Sequence, residues 1–364
     1  MNKKYPFYLK TTVILFGLVL LVYILSYLGD ILIPLSFAAM LAVLINPLCN
    51  WLVRIKVPRT VAIFISVLVT IVIFGGIGYF VSSQLASFSS EMPLFKKRFT
   101  ELFANLQHEI DGRLGINLQK QNQWLASAQS KLEPLAGSLL SGIFGTLSVF
   151  FLLPVYIFLF LYYKSLLVNF LYEIFAEKNT KEVTLVLTQT KQAIQSYMFG
   201  LSLEALIVAA MNTSALLLIG VKYALLIGVI GALLNILPYI GGIIAIAIPL
   251  LIATITMQGY HAQLWIIAAY LIIQFIDNNF LMPYIVSSKV KINALISILI
   301  VLMGGALWGV SGMFLSIPFT GLLKIIFDRI PELKPWGRLL GDEIPTRHPG
   351  KIKTKPKPVK EAAN

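Results

Sequence analysis

The chain has 364 residues, of which 58% are hydrophobic and only 12% charged, and its mean hydropathy is +0.83. A soluble domain carries about twice that share of charge, so a water-surrounded globule is excluded and an integral membrane protein is indicated. The net charge of +13 lies mostly at the two termini and in short loops, a distribution that suits an anionic bilayer surface rather than nucleic acid.

The basic start MNKKYPFYLK leads into an apolar run over residues 12–28. No small-residue cleavage site follows, so this run predicts an uncleaved helix, with Asp30 and Pro34 turning the chain into a second run at 31–48. Arg54, Lys56 and Arg59 mark a cytoplasmic loop, and residues 61–81 predict the next crossing. Residues 1–81 are thus read as the N-terminal transmembrane helices.

Residues 82–137 are polar yet patterned. Phe95, Phe99, Leu102, Leu106 and Ile110 recur at helical spacing, and Trp124, Ala128, Leu132 and Leu135 do so again after a break near DGRLGIN. Two amphipathic helices outside the membrane are expected, either packed as a small subdomain or docked on the bilayer or a partner. Residues 138–163 predict a transmembrane helix returning inward to Lys164. Residues 164–196, with Glu173, Glu177, Lys178, Lys181, Glu182 and Lys191, predict a cytoplasmic helical excursion.

Residues 197–330 form the C-terminal transmembrane core. Two of its apolar segments are too long for one span and are interrupted, one at NILPYIGG and one at GGALWGVSG. Each is read as a helix pair or a re-entrant hairpin, because non-helical backbone at membrane depth needs protein or a water-filled cavity around it. Residues 331–364, read as a basic cytoplasmic tail, contain KIKTKPKPVK, where alternating Lys and Pro cannot build a core. The expected fold is an all-α integral membrane protein: a polytopic helical bundle of about eight membrane segments, including broken or re-entrant hairpins, with an amphipathic helical extramembrane region. Both termini are expected in the cytoplasm, which requires an even number of crossings.

Ionisable groups inside apolar segments are expensive and point to function. Glu204 stands about two turns into its helix, with Asn212 two turns further along the same face; the competing reading is an interfacial Glu204 that meets water or a lysine. A denser cluster lies in QFIDNNFLMPYI: Gln274, Asp277, Asn278, Asn279 and the closing Pro283. One reading is a helix end, capped by Asn and Asp and stopped by Pro283, near the cytoplasmic Lys289 and Lys291. The other is a set of donors, acceptors and one carboxylate lining a cavity between the broken segments. Asn235, before LPYIGG, divides in the same way. Pro238, Gly241 and Gly242 permit a break with close backbone approach. Gly304, Gly305, Gly309 and Gly312 suit helix packing or a second break better than a phosphate cradle.

No ATP-binding loop, H-E-x-x-H or G-x-S-x-G motif is found in the sequence. Cys49 is the only cysteine, and His108, His261 and His348 are far apart. Neither an enzyme, a cofactor nor a bound metal is therefore expected.

Over LNILPYIGGIIAIAIP, QFIDNNFLMPYIVSSKVKIN and MGGALWGVSGMFLSIP, and in the spacing between them, the chain resembles the autoinducer-2 exporter family of bacterial membrane proteins. The residues that carry the likeness are Pro238 to Gly241, then Gln274, Asp277, Asn278, Asn279 and Pro283, then Gly304, Gly305, Gly309, Gly312 and Pro318. The family's Glu-Gly-Asn reads Asp277-Asn278-Asn279 here, and a Pro after the following basic loop is replaced by INALIS. The resemblance implies a secondary transporter of the bacterial inner membrane that assembles as a homo-oligomer, with a pentamer as the size suggested.

The leading expectation is an exporter of a small polar solute, such as an autoinducer-2-like signal, coupled to a proton or ion gradient. Glu204 and Asp277 would carry the proton or cation, and Asn235, Gln274, Asn278 and Asn279 would supply polar contacts. A sodium/proton antiporter would use the same carboxylates. A passive channel formed by an oligomer, or a scaffold docking through residues 95–135, remain open alternatives.

Overall fold

The computed structural model describes residues 6–114, 147–175, 180–237, 241–257, 259–286 and 292–342. The second amphipathic segment (Trp124 to Leu135), Pro238, Lys289, Lys291 and the basic tail lie outside the described residues. Among the described residues there are helices and no strands.

Helices α1 (Phe7–Tyr27) and α2 (Gly29–Arg54) are joined by a turn at Leu28. α1 is apolar all round and buries none of its residues, which fits a helix surrounded by lipid. α2 carries Pro34 and Pro47 internally and buries the face Ala38, Leu41, Ala42 and Cys49.

α3 runs unbroken from Arg59 to Leu114, with Pro93 inside it. Only its first part, Arg59–Phe88, has the length and hydropathy to cross a bilayer. The membrane helix thus continues past residue 82, without a break, into the first amphipathic segment, Phe95 to Ile110. Nothing in SSQLASFSS forces a stop, and serine is an ordinary helix residue. The part beyond Phe88 extends the rod by roughly 39 Å at 1.5 Å per residue.

α4 (Leu147–Tyr162) meets α5 (Lys164–Phe175) at a bend of 60°. The last carbonyls of a helix have no partner inside it. Here the Arg59 guanidinium donates to Leu161 O (3.4 Å) and Tyr162 O (3.3 Å). Lys164 Nζ donates to the buried Asn46 Oδ1 at 3.1 Å. The α2–α3 loop and the α4–α5 bend therefore share one end of the bundle.

α6 (Thr180–Ile219) is a single 40-residue helix, so the charged excursion flows directly into the membrane span. It turns at Gly220 and Tyr223, both with left-handed φ, into α7 (Ala224–Asn235). α8 (Gly241–Thr256) folds back on α7: Gly241 lies against the Leu234 carbonyl, and Gly231 faces Ala245. α9 (His261–Ile276) passes straight into a π-helical segment, Asp277–Val286.

α10 (Ala294–Arg329) is also a hairpin. Trp308 and Gly309 leave helical geometry, Gly309 with φ 59°. Gly304 and Gly312 then meet backbone to backbone, which no straight helix could bring about across eight residues. Both ends of the hairpin lie together, because Asn293 donates from Nδ2 to Leu339 O (2.7 Å) and Gly341 O (3.0 Å) beyond the short α11 (Lys334–Leu340). The tip is tied to the α1 end, where Trp308 Nε1 donates to Leu25 O at 2.9 Å.

Among the described residues, six helices are long and apolar enough to cross a membrane, and the bent α4–α5 pair makes a seventh; α7 and α8 are shorter apolar helices. The chain is an all-α polytopic membrane protein, with both interrupted segments present as folded hairpins. One core cluster joins α2, α3, α4, α6 and α10 around Ala38, Ile63, Ile157, Leu201 and Leu315. Another joins α6 to α9 around Leu216, Ile227, Ala253 and Ile266. A small third cluster of Val208, Ala232 and Ile273 lies on α6, α7 and α9.

Candidate functional site

Glu204 on α6 and Asp277 at the end of α9 are 73 positions apart in sequence, yet the fold brings their carboxyl groups beside each other. Both are deeply buried, at 3% and 2% exposure. Asp277 Oδ2 accepts from Asn235 Nδ2 at 2.8 Å. Glu204 Oε2 and Asp277 Oδ1 have no amide, hydroxyl or backbone donor. An ionised carboxylate only accepts hydrogen bonds, so a bond between two carboxyls needs a proton between them. The arrangement is therefore a place where a proton can sit or be displaced.

Each partner is delivered by a different device. Glu204 comes from the interior of a long continuous helix, on the face that also buries Tyr197, Leu201, Val208 and Asn212. Asn235 is the last residue of α7, freed by the break that follows. Asp277 opens the π-helical segment, and the local sequence explains the widened turn. Asn279 Nδ2 donates to Phe275 O at 2.8 Å, occupying the acceptor that its own backbone N–H would use in an α-helix. Pro283 contributes no N–H at all. Such π turns recur at functional sites.

The sequence-derived candidates thus separate. Glu204, Asn235 and Asp277 come together. Gln274 lies beside them, half-buried, with Oε1 2.7 Å from where a Cβ on Gly242 would stand, and Asn235 Oδ1 is 3.5 Å from the same point. Gly241 and Gly242 therefore let the start of α8 press against Asn235 and Gln274. Asn278 is exposed and accepts from Gln274 Nε2 at 3.3 Å. Asn279 is exposed and bonded to its own helix, away from the pair. Gly304, Gly305, Gly309 and Gly312 belong to the α10 hairpin: Gly304, Gly305 and Gly312 pack on Ser316, Met313 and Trp308, while Gly309 faces open space and supplies the positive φ of the turn.

Tyr270 and Thr213 were not marked by the sequence. Both are buried, and the Tyr270 hydroxyl, Thr213 Oγ1 and Asn212 Oδ1 have no partner. The available signal was the seven-residue interval from Tyr270 to Asp277, two turns on one face. A groove between α6 and α10, lined by Thr190, Ala193, Ile194, Tyr197, Pro318 and Gly321, lies on the Glu204 side of α6. Thr190, Tyr197 and Glu204 follow one another there at seven-residue intervals.

Comparison with known proteins agrees with this architecture. The model of the AI-2E transporter family matches residues 12–332. The putative transport protein YhhT of Escherichia coli K12 is 28% identical over 323 residues, covering 88% of this chain and 91% of its own. The putative transport protein YrrI of Bacillus subtilis 168 is 25% identical over 306 residues, covering 81% and 85%. The AI-2 transport protein TqsA of Escherichia coli K12 is 24% identical over 336 residues, covering 92% and 96%. With 321 of its 364 positions inside the family match, the chain belongs to the AI-2E family of membrane transporters.

Proposed function

We propose that the protein is a secondary transporter that exports a small polar solute in exchange for a proton or another cation. The observation that carries this reading is the buried Glu204–Asp277 pair, held by Asn235 at the break between α7 and α8. An unpaired carboxylate in a membrane interior costs at least about 2.5 kcal/mol, so such a pair is retained for use rather than stability. Loading and release of one proton changes whether Glu204 and Asp277 can bond. That change is transmitted to Asn235, and through it to the α7–α8 hairpin, which we take as the moving element. The α10 hairpin, closed by glycine contacts, serves as the fixed wall.

The groove at Thr190 and Tyr197 gives the cytoplasmic approach to Glu204. Its side is assigned from Arg54, Lys56 and Arg59, which gather with Lys164 at one end of the bundle. On this topology both termini are cytoplasmic and the membrane is the bacterial inner membrane. Amides from Asn235 and Gln274 suit a neutral, hydroxyl-rich cargo, and the relative TqsA is named for transport of AI-2.

The test is proton release and cation uptake in sealed liposomes with purified wild type, Glu204→Gln and Asp277→Asn. Gradient-driven flux should fall at least tenfold in both variants with the fold intact. Equal flux in all three proteins would overturn carboxyl coupling. Flux that follows a sodium gradient with no organic cargo would identify cation/proton exchange by the same pair.

A further inference from the structure

Two turns along α6 from Glu204, roughly 12 Å away, a second set of polar groups is buried without partners. Asn212 Oδ1, Thr213 Oγ1 and the Tyr270 hydroxyl have no hydrogen bond, and all three residues are more than nine-tenths buried. They come from α6 and α9 and face the glycine stripe of α7. A Cβ on Gly231 would stand 3.3 Å from Asn212 Nδ2 and 3.7 Å from the Tyr270 oxygen, so both converge on the same bare backbone. Thr213 packs against Gly228, one turn along α7. Between this level and the carboxyl pair lie Val208, Ala232 and Ile273, one residue from each of the same three elements.

Buried polar atoms are expensive without a partner, and such sites are satisfied by ordered water when they are polar and offer two to four contacts. The donor and acceptor inventory is specific. Asn212 Oδ1 needs a donor, whereas the two hydroxyls can donate or accept. Water, or a hydroxyl of a neutral solute, meets both demands. A bare cation would meet only acceptors, and among Asn212, Thr213 and Tyr270 there is no anionic group to neutralise it.

We propose that Asn212, Thr213 and Tyr270 form a second polar station that holds water, separated from the carboxyl pair by the single apolar layer of Val208, Ala232 and Ile273. The path is then wet on both sides of one dry constriction. A small movement of α7, which supplies both Ala232 and Gly231, would join the two levels. The role in transport rests on the carboxyl-pair reading; the presence of water does not.

Hydroxyl-radical footprinting of the full-length protein in liposomes tests the station directly, with exposed Tyr284 as internal reference. Buried water should make Tyr270 label within about fivefold of Tyr284, despite its burial. Gly231→Ala, which puts a methyl group 3.3 Å from Asn212 Nδ2 without removing a polar group, should suppress that label at least fivefold and lower flux about tenfold. Asn212→Leu should suppress it likewise. Tyr270 unlabelled in the wild type would overturn the proposal, as would a label unchanged in folded Gly231→Ala. Protection of Tyr270 by sodium but not by choline would place a cation there and overturn it too. If Glu204→Gln leaves flux unchanged, the coupling model fails while the Tyr270 label still reports the station.

Discussion

Two helical hairpins interrupt the C-terminal half, and they differ in what surrounds the break. Both contain a backbone contact, Gly241 on the Leu234 carbonyl in the α7–α8 hairpin and Gly304 on Gly312 in the α10 hairpin. The α7–α8 hairpin adds polar side chains: Asn235 reaches Asp277, and Gly242 abuts the flexible end of Gln274. The α10 hairpin has glycine on both sides of its contact, and Trp308 anchors the tip to Leu25. A broken apolar segment is thus not itself a site; the α7–α8 break differs in carrying side-chain amides that can change partners.

The largest expected effect tests the rigid hairpin. A Cβ on Gly304 would meet the Gly312 carbonyl oxygen at 2.5 Å, with Ser316 Oγ blocking the same space. Gly304→Ala should therefore destabilise by about 3 kcal/mol, read as loss of monodisperse protein in detergent or a sharp fall in melting temperature. A stable, well-folded Gly304→Ala protein would mean that the α10 hairpin is adjustable, and the contrast would collapse.

Next comes the polar hairpin. Asn235→Leu removes the donor to Asp277 Oδ2 and should lower stability by about 2 kcal/mol, the usual range for a lost hydrogen bond to a charged or highly polar group. Adding Asp277→Leu should restore only part of that stability, because it leaves the buried Glu204 carboxyl without its neighbour, while flux stays at background. Recovery of flux in the double variant would remove Asp277 from the transport path.

The interruptions at NILPYIGG and GGALWGVSG were legible because glycine, proline and asparagine punctuate runs that otherwise exceed a bilayer span. Glu204 and Asp277 stood out for the same reason, as ionisable groups in apolar surroundings. Their contact was not legible, since nothing local relates positions 73 residues apart. The outward turn of Asn279 depends on the π-helical register, which follows from where its amide bonds rather than from residue type. Tyr270 read as one more aromatic in an apolar helix; only its lack of a partner distinguishes it. The unbroken passage of α3 from the membrane span into the amphipathic segment was not legible, because polarity ends the membrane-facing part of a helix and says nothing of the helix itself.

Trp308→Phe tests whether the α10 tip is an anchor or a latch. It keeps an aromatic ring beside Gly29 and removes only the Nε1 bond to Leu25 O. Stability should fall by about 1 kcal/mol, measured by thermal unfolding in detergent, with flux within twofold of wild type. A tenfold loss of flux at unchanged stability would make this hairpin a gate after all.

The smallest stability effect should come from Gly242→Ala, and it separates the hairpins most finely. The new methyl group would meet Gln274 Oε1 at 2.7 Å, but that atom ends a half-buried, flexible side chain that can swing aside. Alanine is also the better helix former. Thermal stability should therefore stay within about 0.5 kcal/mol, in contrast to Gly304→Ala. Transport should not stay level, because displacing Gln274 removes its amide from beside Asn235. Flux should fall several-fold, Gln274→Ala should match it, and the double variant should be no worse than either single change, since both act on one side chain. Additive losses would mean that Gly242 acts through the α8 backbone, and the moving part would then be the hairpin's frame rather than its amides.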